Sequence, residues 1–243
     1  MVDITKTGIQ GLDTILNGGF VTNSTVLVSG NPGTGKSILG LQFLYNGVEQ
    51  YDEPGVYLSF EENEEDINEA AESIGFDQWP DYVDEGQIRI YDKRELLHES
   101  DFSTTLDNLL EEFIDSEFDR LVMDSLTMFQ MFFESEGEKR RYLLRFSDIL
   151  KQSGLTSLLI NEQKAIFPNA EIGLENFLTD GNIHMIQTPT KSGVNRYIWV
   201  AKMRKQKIQT DIFPMEIRDG GIVVHDNAAG FSLIGESNPF EQR

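Results

Sequence analysis

The segment Gly30-Asn31-Pro32-Gly33-Thr34-Gly35-Lys36-Ser37 is the part of this chain best suited to chemistry, and it fits the spacing G-x-x-x-x-G-K-[ST] in full. Glycines at these positions let the backbone curl so that successive N–H groups point inward at an anion. Lys36 supplies a point charge for the β- and γ-phosphates of a nucleotide, and the Ser37 hydroxyl is placed to reach Mg²⁺. Downstream, Leu41, Leu44, Tyr45 and Val48 follow a helical spacing, so a helix directs its positive end at the same anion. Upstream, Val26-Leu27-Val28-Ser29 reads as a short buried strand ended by Gly30. Strand, glycine-rich loop and helix together imply a nucleotide phosphate site.

Carboxylates stand at two further strand ends. Asp124 closes the apolar run Leu121-Val122-Met123, where a second oxygen ligand meets the Mg²⁺ of a P-loop protein. Glu61 and Glu62 follow the strand Val56-Tyr57-Leu58-Ser59-Phe60, and strand C-termini of an open α/β sheet face the ligand crevice. A carboxylate there is suited to polarising the water that attacks a γ-phosphate. Glu64, Glu65 and Asp66 instead read as acidic residues favouring a helix N-terminus. Asn161, Glu162 or Gln163, at the end of Leu158-Leu159-Ile160, suit either γ-phosphate sensing or ordinary loop polarity. Asn161-Glu162-Gln163-Lys164 is not the N-K-x-D motif of guanine readers, which favours ATP over GTP. His98, His184 and His225 stand apart without ligand spacing.

The elements that must position these residues alternate in type. Strands are predicted at 26–29, 56–60, 88–91, 121–123 and 158–160, with helices after most of them: from Ser37, over Glu64 to Ile74, over Leu106 to Ile114 and around Tyr142 to Leu150. After Ile160 the pattern changes to strands separated by short turns, at 183–187, 196–202, 213–217 and 222–224. The expected fold is α/β, with βαβ units building a mostly parallel central sheet flanked by helices, followed by an antiparallel C-terminal extension. One domain is predicted over residues 1–226. The Gly-, Ser-, Asn- and Pro-rich stretch 227–243 reads as a loosely held tail.

Composition narrows the function classes. The 243 residues include 41 acidic and 20 basic side chains, a net charge of −21, and are 39% hydrophobic. That apolar content suffices for a sizeable core. So negative a surface repels nucleic-acid backbones and anionic lipid on average. Cys is absent, which excludes disulfides, thiol catalysis and thiolate metal sites. No apolar run reaches the ~18 residues of a membrane span, and Met1 to Lys6 has neither region of a signal peptide. These features predict a soluble cytoplasmic protein without membrane insertion. The acidity fits an ordinary cytosolic protein less well than a high-salt, halophilic cytoplasm, where dense carboxylates hold water and salt screens their repulsion.

Taken in order, the motifs resemble those of the KaiC-type RecA-like ATPases. The opening Thr7-Gly8-Ile9-Gln10-Gly11-Leu12-Asp13 with Gly18-Gly19-Phe20 is similar to the family's start, with two glycines where the family has three. The P-loop, Ser59-Phe60-Glu61-Glu62, Val122-Met123-Asp124-Ser125-Leu126 and Lys202-Met203-Arg204 follow in the family's order, from about Thr5 to about Asp226. The resemblance implies a RecA-like P-loop fold and a ring-forming homo-oligomer, often a hexamer, with ATP between neighbouring subunits. It implies Glu61 as catalytic base with Glu62 supporting it, and Lys202 and Arg204 reaching the neighbouring subunit's phosphates. A cation delivered across an interface would neutralise charge on the transferring phosphoryl group. On residue types alone, Lys202, Arg204, Lys205 and Lys207 read equally well as a solvated basic strand end or a small nucleic-acid patch.

The sequence also departs from parts of that family. Clock-type members carry two such domains in tandem and phosphorylate a Ser-Thr pair upstream of a Thr-Asp step. Here Glu175-Asn176-Phe177-Leu178-Thr179-Asp180 places Asn176 and Phe177 where those hydroxyls would stand, which argues against autokinase activity. RecA-like recombinases place DNA-binding loops after the strands corresponding to Val122 and Leu158. The loop 164–181 has one Lys against Glu171, Glu175 and Asp180, and the loop 127–137 is apolar and then acidic. Nucleic acid is therefore a disfavoured partner, and Met128, Phe129, Met131, Phe132 and Phe133 read as core or subunit packing residues, or otherwise as a docking patch for a partner. The expected function is that of a Mg·ATP-binding, slowly hydrolysing ATPase, an oligomeric nucleotide-dependent switch in signalling with a protein partner the sequence does not name. The alternatives are a non-hydrolysing ATP-sensing module that docks a partner, and, less favoured, a DNA-repair recombinase paralogue.

Overall fold

The computed structural model describes residues 2–94, 117–131, 133, 135–163, 173, 175–191 and 193–227. Its strands are β1 (Ile4–Thr5), β2 (Phe20–Val21), β3 (Thr25–Gly30), β4 (Gly55–Ser59), β5 (Ile88–Asp92), β6 (Arg120–Asp124), β7 (Thr156–Glu162), β8 (Gly181–Thr190), β9 (Gly193–Met203), β10 (Ile212–Arg218) and β11 (Gly221–Val224). Its helices are α1 (Leu12–Ile15), α2 (Lys36–Tyr51), α3 (Glu64–Ser73), α4 (Trp79–Asp84), α5 (Leu126–Gln130), α6 (Glu136–Ser153) and α7 (Glu175–Leu178). The helix expected over Leu106 to Ile114, His98, most of the loop 164–181 and residues 228–243 of the tail lie outside the described residues.

Nine strands form one sheet in the order β11-β10-β9-β8-β3-β7-β6-β4-β5. From β8 to β5 every neighbouring pair is parallel. From β8 outward to β11 the pairs are antiparallel. The sequence places 183–187 within the antiparallel extension, and here the structure differs: β8 pairs parallel with β3, Val26 opposite Gly181 and Gly30 opposite Met185. β8, the next strand in the chain after β7, lies on the far side of β3, and the first hairpin of the extension is β8–β9.

Side-chain alternation along the buried strands feeds two cores. Val26 and Val28 of β3 and Tyr57 of β4 join Leu39, Phe43 and Leu44 of α2 on one face. Leu27, Val56 and Leu58 join Leu143, Phe146 and Leu150 of α6 on the other. Both faces are covered, so the strands read as continuous apolar runs. Local signals set the helix ends: Asn63 Oδ1 accepts the Asp66 N–H at 2.7 Å to start α3, and Ser135 Oγ accepts the Glu138 N–H at 3.2 Å to start α6.

The family-like opening segment proves to be a latch. Asp13 Oδ1 accepts the Thr7 N–H (2.9 Å) and the Thr7 hydroxyl (2.7 Å), and Oδ2 accepts the Gly8 N–H (3.1 Å). The Val224 N–H then donates to Gln10 O at 2.9 Å, tying the segment to β11. Arg120, fully buried at the base of β6, donates to Lys6 O (2.8 Å), Phe43 O (2.7 Å) and the Glu53 carboxylate, and its guanidinium lies 4.5 Å from the centre of the Phe43 ring. The start of the chain, α2 and the sheet are thus held by one cation whose buried charge is paired. Among the described residues no helix is long and apolar enough to cross a membrane.

Candidate functional site

Parallel strands end at one edge, and four of them gather the chemistry. Register puts Ser59 of β4 level with Asp124 of β6 and Asp124 level with Ile160 of β7, while Gly30 of β3 is level with Glu162. The residues following β3 and β4 therefore meet those closing β6 and β7. Gly33 (φ +80°) and Gly35 (φ +101°) take left-handed backbone conformations in the loop between β3 and α2, which a side chain would strain. Loop 31–35 then runs into the N-terminus of α2, a 16-residue helix.

The antiparallel extension holds that loop from the side. Gln187 Nε2 donates to Pro32 O at 2.9 Å and Arg196 Nε donates to Gly33 O at 3.3 Å. Thr34 Oγ1 donates to Asn31 O at 2.9 Å. A groove of about 410 Å³, lined among others by Arg196, Tyr197, Met215, Ile217 and His225, opens beside it. A methyl group placed on Gly35 would lie 2.9 Å from Ile217 Cδ1, so groove and loop are contiguous.

Lys36 is 7% exposed, and its Nζ donates to Asn31 O at 3.1 Å. Burial lowers its pKa, against the opposing pull of the Glu162, Asp124 and Glu61 carboxylates. Asp124 is also 7% exposed and accepts the Tyr57 hydroxyl on Oδ2 at 2.8 Å. Burial raises its pKa, while hydrogen bonding from the Ser37 and Tyr57 hydroxyls and the charge of Lys36 work the other way. The structure thus brings Lys36, Ser37 and Asp124 together.

Glu61 and Glu62 stand at the exposed mouth of the site. Ser59 fixes their backbone: its Oγ donates to Glu62 O at 2.6 Å and accepts the Glu62 N–H at 3.0 Å. Ser125 Oγ donates to Glu61 Oε1. Desolvation is the largest cause raising the pKa of each carboxylate, and for Glu61 the Ser125 hydrogen bond is the largest opposing effect. Thr127 Oγ1 accepts the Glu162 N–H at 2.7 Å and bonds Asn161 Oδ1 at 3.2 Å, so the end of β7 is tied to α5.

Lys202 and Arg204 are not brought to this edge. Arg204 follows β9, whose last residue, Met203, pairs with Gly181, level with Val26; Ile198 pairs with Met185, level with Gly30. Four residues along a strand amount to roughly 13 Å. Lys202 Nζ donates to Asn176 O (2.9 Å) and Thr179 O (2.6 Å), and Arg204 Nη1 to Asp180 Oδ1 (3.4 Å). The Thr179 hydroxyl is buried against Asn182 Oδ1 at 2.7 Å. Of the apolar residues after β6, Met128 and Phe133 pack against the second core, Phe133 stacks on Tyr142 at 4.7 Å, and Met131 is 73% exposed. His184 stacks on Trp199 at 5.2 Å and His225 contacts Glu216 at 3.1 Å, and among the described residues no three His or carboxylate groups are arranged to hold a metal.

Four neighbours of the site escape sequence reasoning. Tyr57 reads only as a buried strand residue, Ser125 only as part of a family motif, and Gln187 and Arg196 carry no motif at all.

The family model of the ATPase KaiC matches residues 5–229. The circadian clock oscillator proteins KaiC of Parathermosynechococcus lividus and Synechococcus elongatus are each 32% identical over 224 residues, 89% of this chain. Those alignments take in 41% and 43% of the two relatives, so the chain spans less than half their length. A KaiC-like protein from the hyperthermophilic archaeon Pyrococcus horikoshii has a solved structure that superposes with a TM-score of 0.80 at 33% identity, covering 93% of this chain and all of that one. The chain belongs to the KaiC family of RecA-like ATPases.

Proposed function

We propose that the chain binds ATP with Mg²⁺ at the loop 30–37 and hydrolyses it slowly, as an oligomeric nucleotide-dependent switch in signalling. The observation that carries this reading is the convergence of Lys36, Ser37, Asp124 and Glu61 at one sheet edge. Backbone groups of residues 30–37 cradle the phosphates, with Lys36 facing their charge. The groove beside Gly35, with Arg196 and Ile217 in its lining, takes the base and sugar. Mg²⁺ takes few protein oxygens and completes its shell with water and phosphate, which suits a site offering the Ser37 hydroxyl and the Asp124 carboxylate. When bound, the ion would neutralise charge on the phosphates. Glu61, directed by Ser125, accepts the proton of the attacking water, and Glu62 supports it.

Lys202 and Arg204 sit too far down the sheet to serve their own nucleotide, which favours a role toward the phosphates of a neighbouring copy in a ring, a hexamer by family likeness. The buried, hydrogen-bonded Thr179 hydroxyl, with Asn176 beside it, supports an ATPase without clock-type autokinase activity. Lys36→Ala tests the reading directly. It is expected to weaken ATP binding by orders of magnitude in calorimetry and to abolish both phosphate release and the rise in oligomeric mass with Mg·ATP. Affinity close to wild type would mean that the loop is not the site. ATP binding without phosphate release in the wild type would leave an ATP-sensing docking module in its place.

A further inference from the structure

We propose that Tyr57 is a positioning residue for the metal-side carboxylate, its phenol fixing the orientation of Asp124. The inference rests on the Mg·ATP reading above.

The geometry follows from strand register. On parallel β4 and β6, Tyr57 is level with Val122 and Ser59 with Asp124. Ser59 is therefore the direct neighbour of Asp124, but its hydroxyl is committed to the backbone of Glu62. Tyr57 lies two residues back on the same face of β4, a diagonal that only a long side chain spans. Its hydroxyl donates to Asp124 Oδ2 at 2.8 Å. Tyr57 is 1% exposed and its ring is packed in the core with Val122 and Leu158, so it has little freedom to swing away. Two buried groups thus satisfy one another, and with Oδ2 held by a donor that is itself packed in place, rotation of the carboxylate is restrained. Second-layer donors of this kind set ligand direction at metal sites.

Phenylalanine would fill the same space in the core and delete only the hydroxyl. The measurement is a titration of a fluorescent ATP analogue onto the full chain, first in EDTA and then across a Mg²⁺ series. Tyr57→Phe is expected to bind the analogue like wild type in EDTA. The Mg²⁺ concentration giving half of the metal-dependent gain in affinity should rise by roughly tenfold. In an Asp124→Asn background the same substitution should change that concentration little, because the group it positions has lost its charge. A general packing defect would lower affinity equally with and without Mg²⁺, and that result overturns the proposal. So does an unchanged Mg²⁺ midpoint, or an equal effect in the Asp124→Asn background. A wild-type chain whose nucleotide affinity ignores Mg²⁺ would instead bring down the Mg·ATP reading itself.

Discussion

Ser125 donates its hydroxyl to Oε1 of Glu61 although 64 positions separate them in the chain. The bond exists because β4 and β6 are parallel neighbours whose last residues, Ser59 and Asp124, share a register level. One residue past β6 and two past β4, a donor meets a carboxylate. A hydroxyl donor favours the ionised carboxylate, the form that can take a proton from water. The next residue along, Glu62, has its backbone pinned by Ser59, and for it desolvation is followed by the repulsion of Asp124 and Asp66. The two glutamates are adjacent in sequence yet differently surrounded.

That difference predicts unequal roles. Glu61→Gln is expected to keep ATP binding while phosphate release at saturating ATP falls by roughly 10²-fold or more, the range for loss of a general base. Glu62→Gln should fall less. A dead Glu62→Gln beside an active Glu61→Gln would exchange the assignment. Full activity in both would leave the pair as acidic residues before α3.

The pH dependence follows from the directions of the shifts. In its proposed role as base Glu61 must be ionised, and burial raises its pKa, so hydrolysis should rise with pH along a limb displaced above the ordinary glutamate range. Ser125→Ala removes the largest effect holding that pKa down. The limb should move to higher pH, with the rate recovered on the alkaline side. Phosphate release measured across pH at saturating ATP checks it. A limb at the wild-type position would separate Ser125 from the base.

Assembly should respond to salt and nucleotide together. Each copy carries −21 and a bound ATP would add negative charge, so neighbouring copies in the proposed ring would repel. The screening length falls from about 10 Å at 0.1 M salt to about 3 Å at 1 M. Oligomers are expected to form best with Mg·ATP at molar salt, read by light scattering over a salt and nucleotide matrix. Arg204→Ala should lower hydrolysis and leave nucleotide binding intact. A monomer under every condition would remove the trans-acting cations.

Local order was written in the chain. The spacing of 30–37 marks the candidate phosphate loop without reference to any other element, because the glycines, the lysine and the following helix are contiguous. Apolar runs such as Leu121-Val122-Met123, buried on both faces, declare parallel strands, and the 3.6-residue spacing after Ser37 declares α2. The two-residue strands β1 and β2 and the helices α1, α4, α5 and α7, of four to six residues, are too short to show a full period, and sequence reading passes over them.

What lies beside what was decided only by the tertiary structure. Strand order across the sheet, β3 between β8 and β7 and β6 between β7 and β4, is set by crossovers that leave no periodic trace. That order makes Tyr57 the partner of Asp124, and it carries Gln187 and Arg196 across 155 and 163 positions to the carbonyls of Pro32 and Gly33. It also sends Lys202 and Arg204 to the far end of the sheet, because β9 runs antiparallel to β8. Residue types and spacing name the chemistry wherever the interacting groups are neighbours in the chain. Where two groups meet through lateral pairing, their contact depends on register and strand order, quantities that exist only once the sheet has formed.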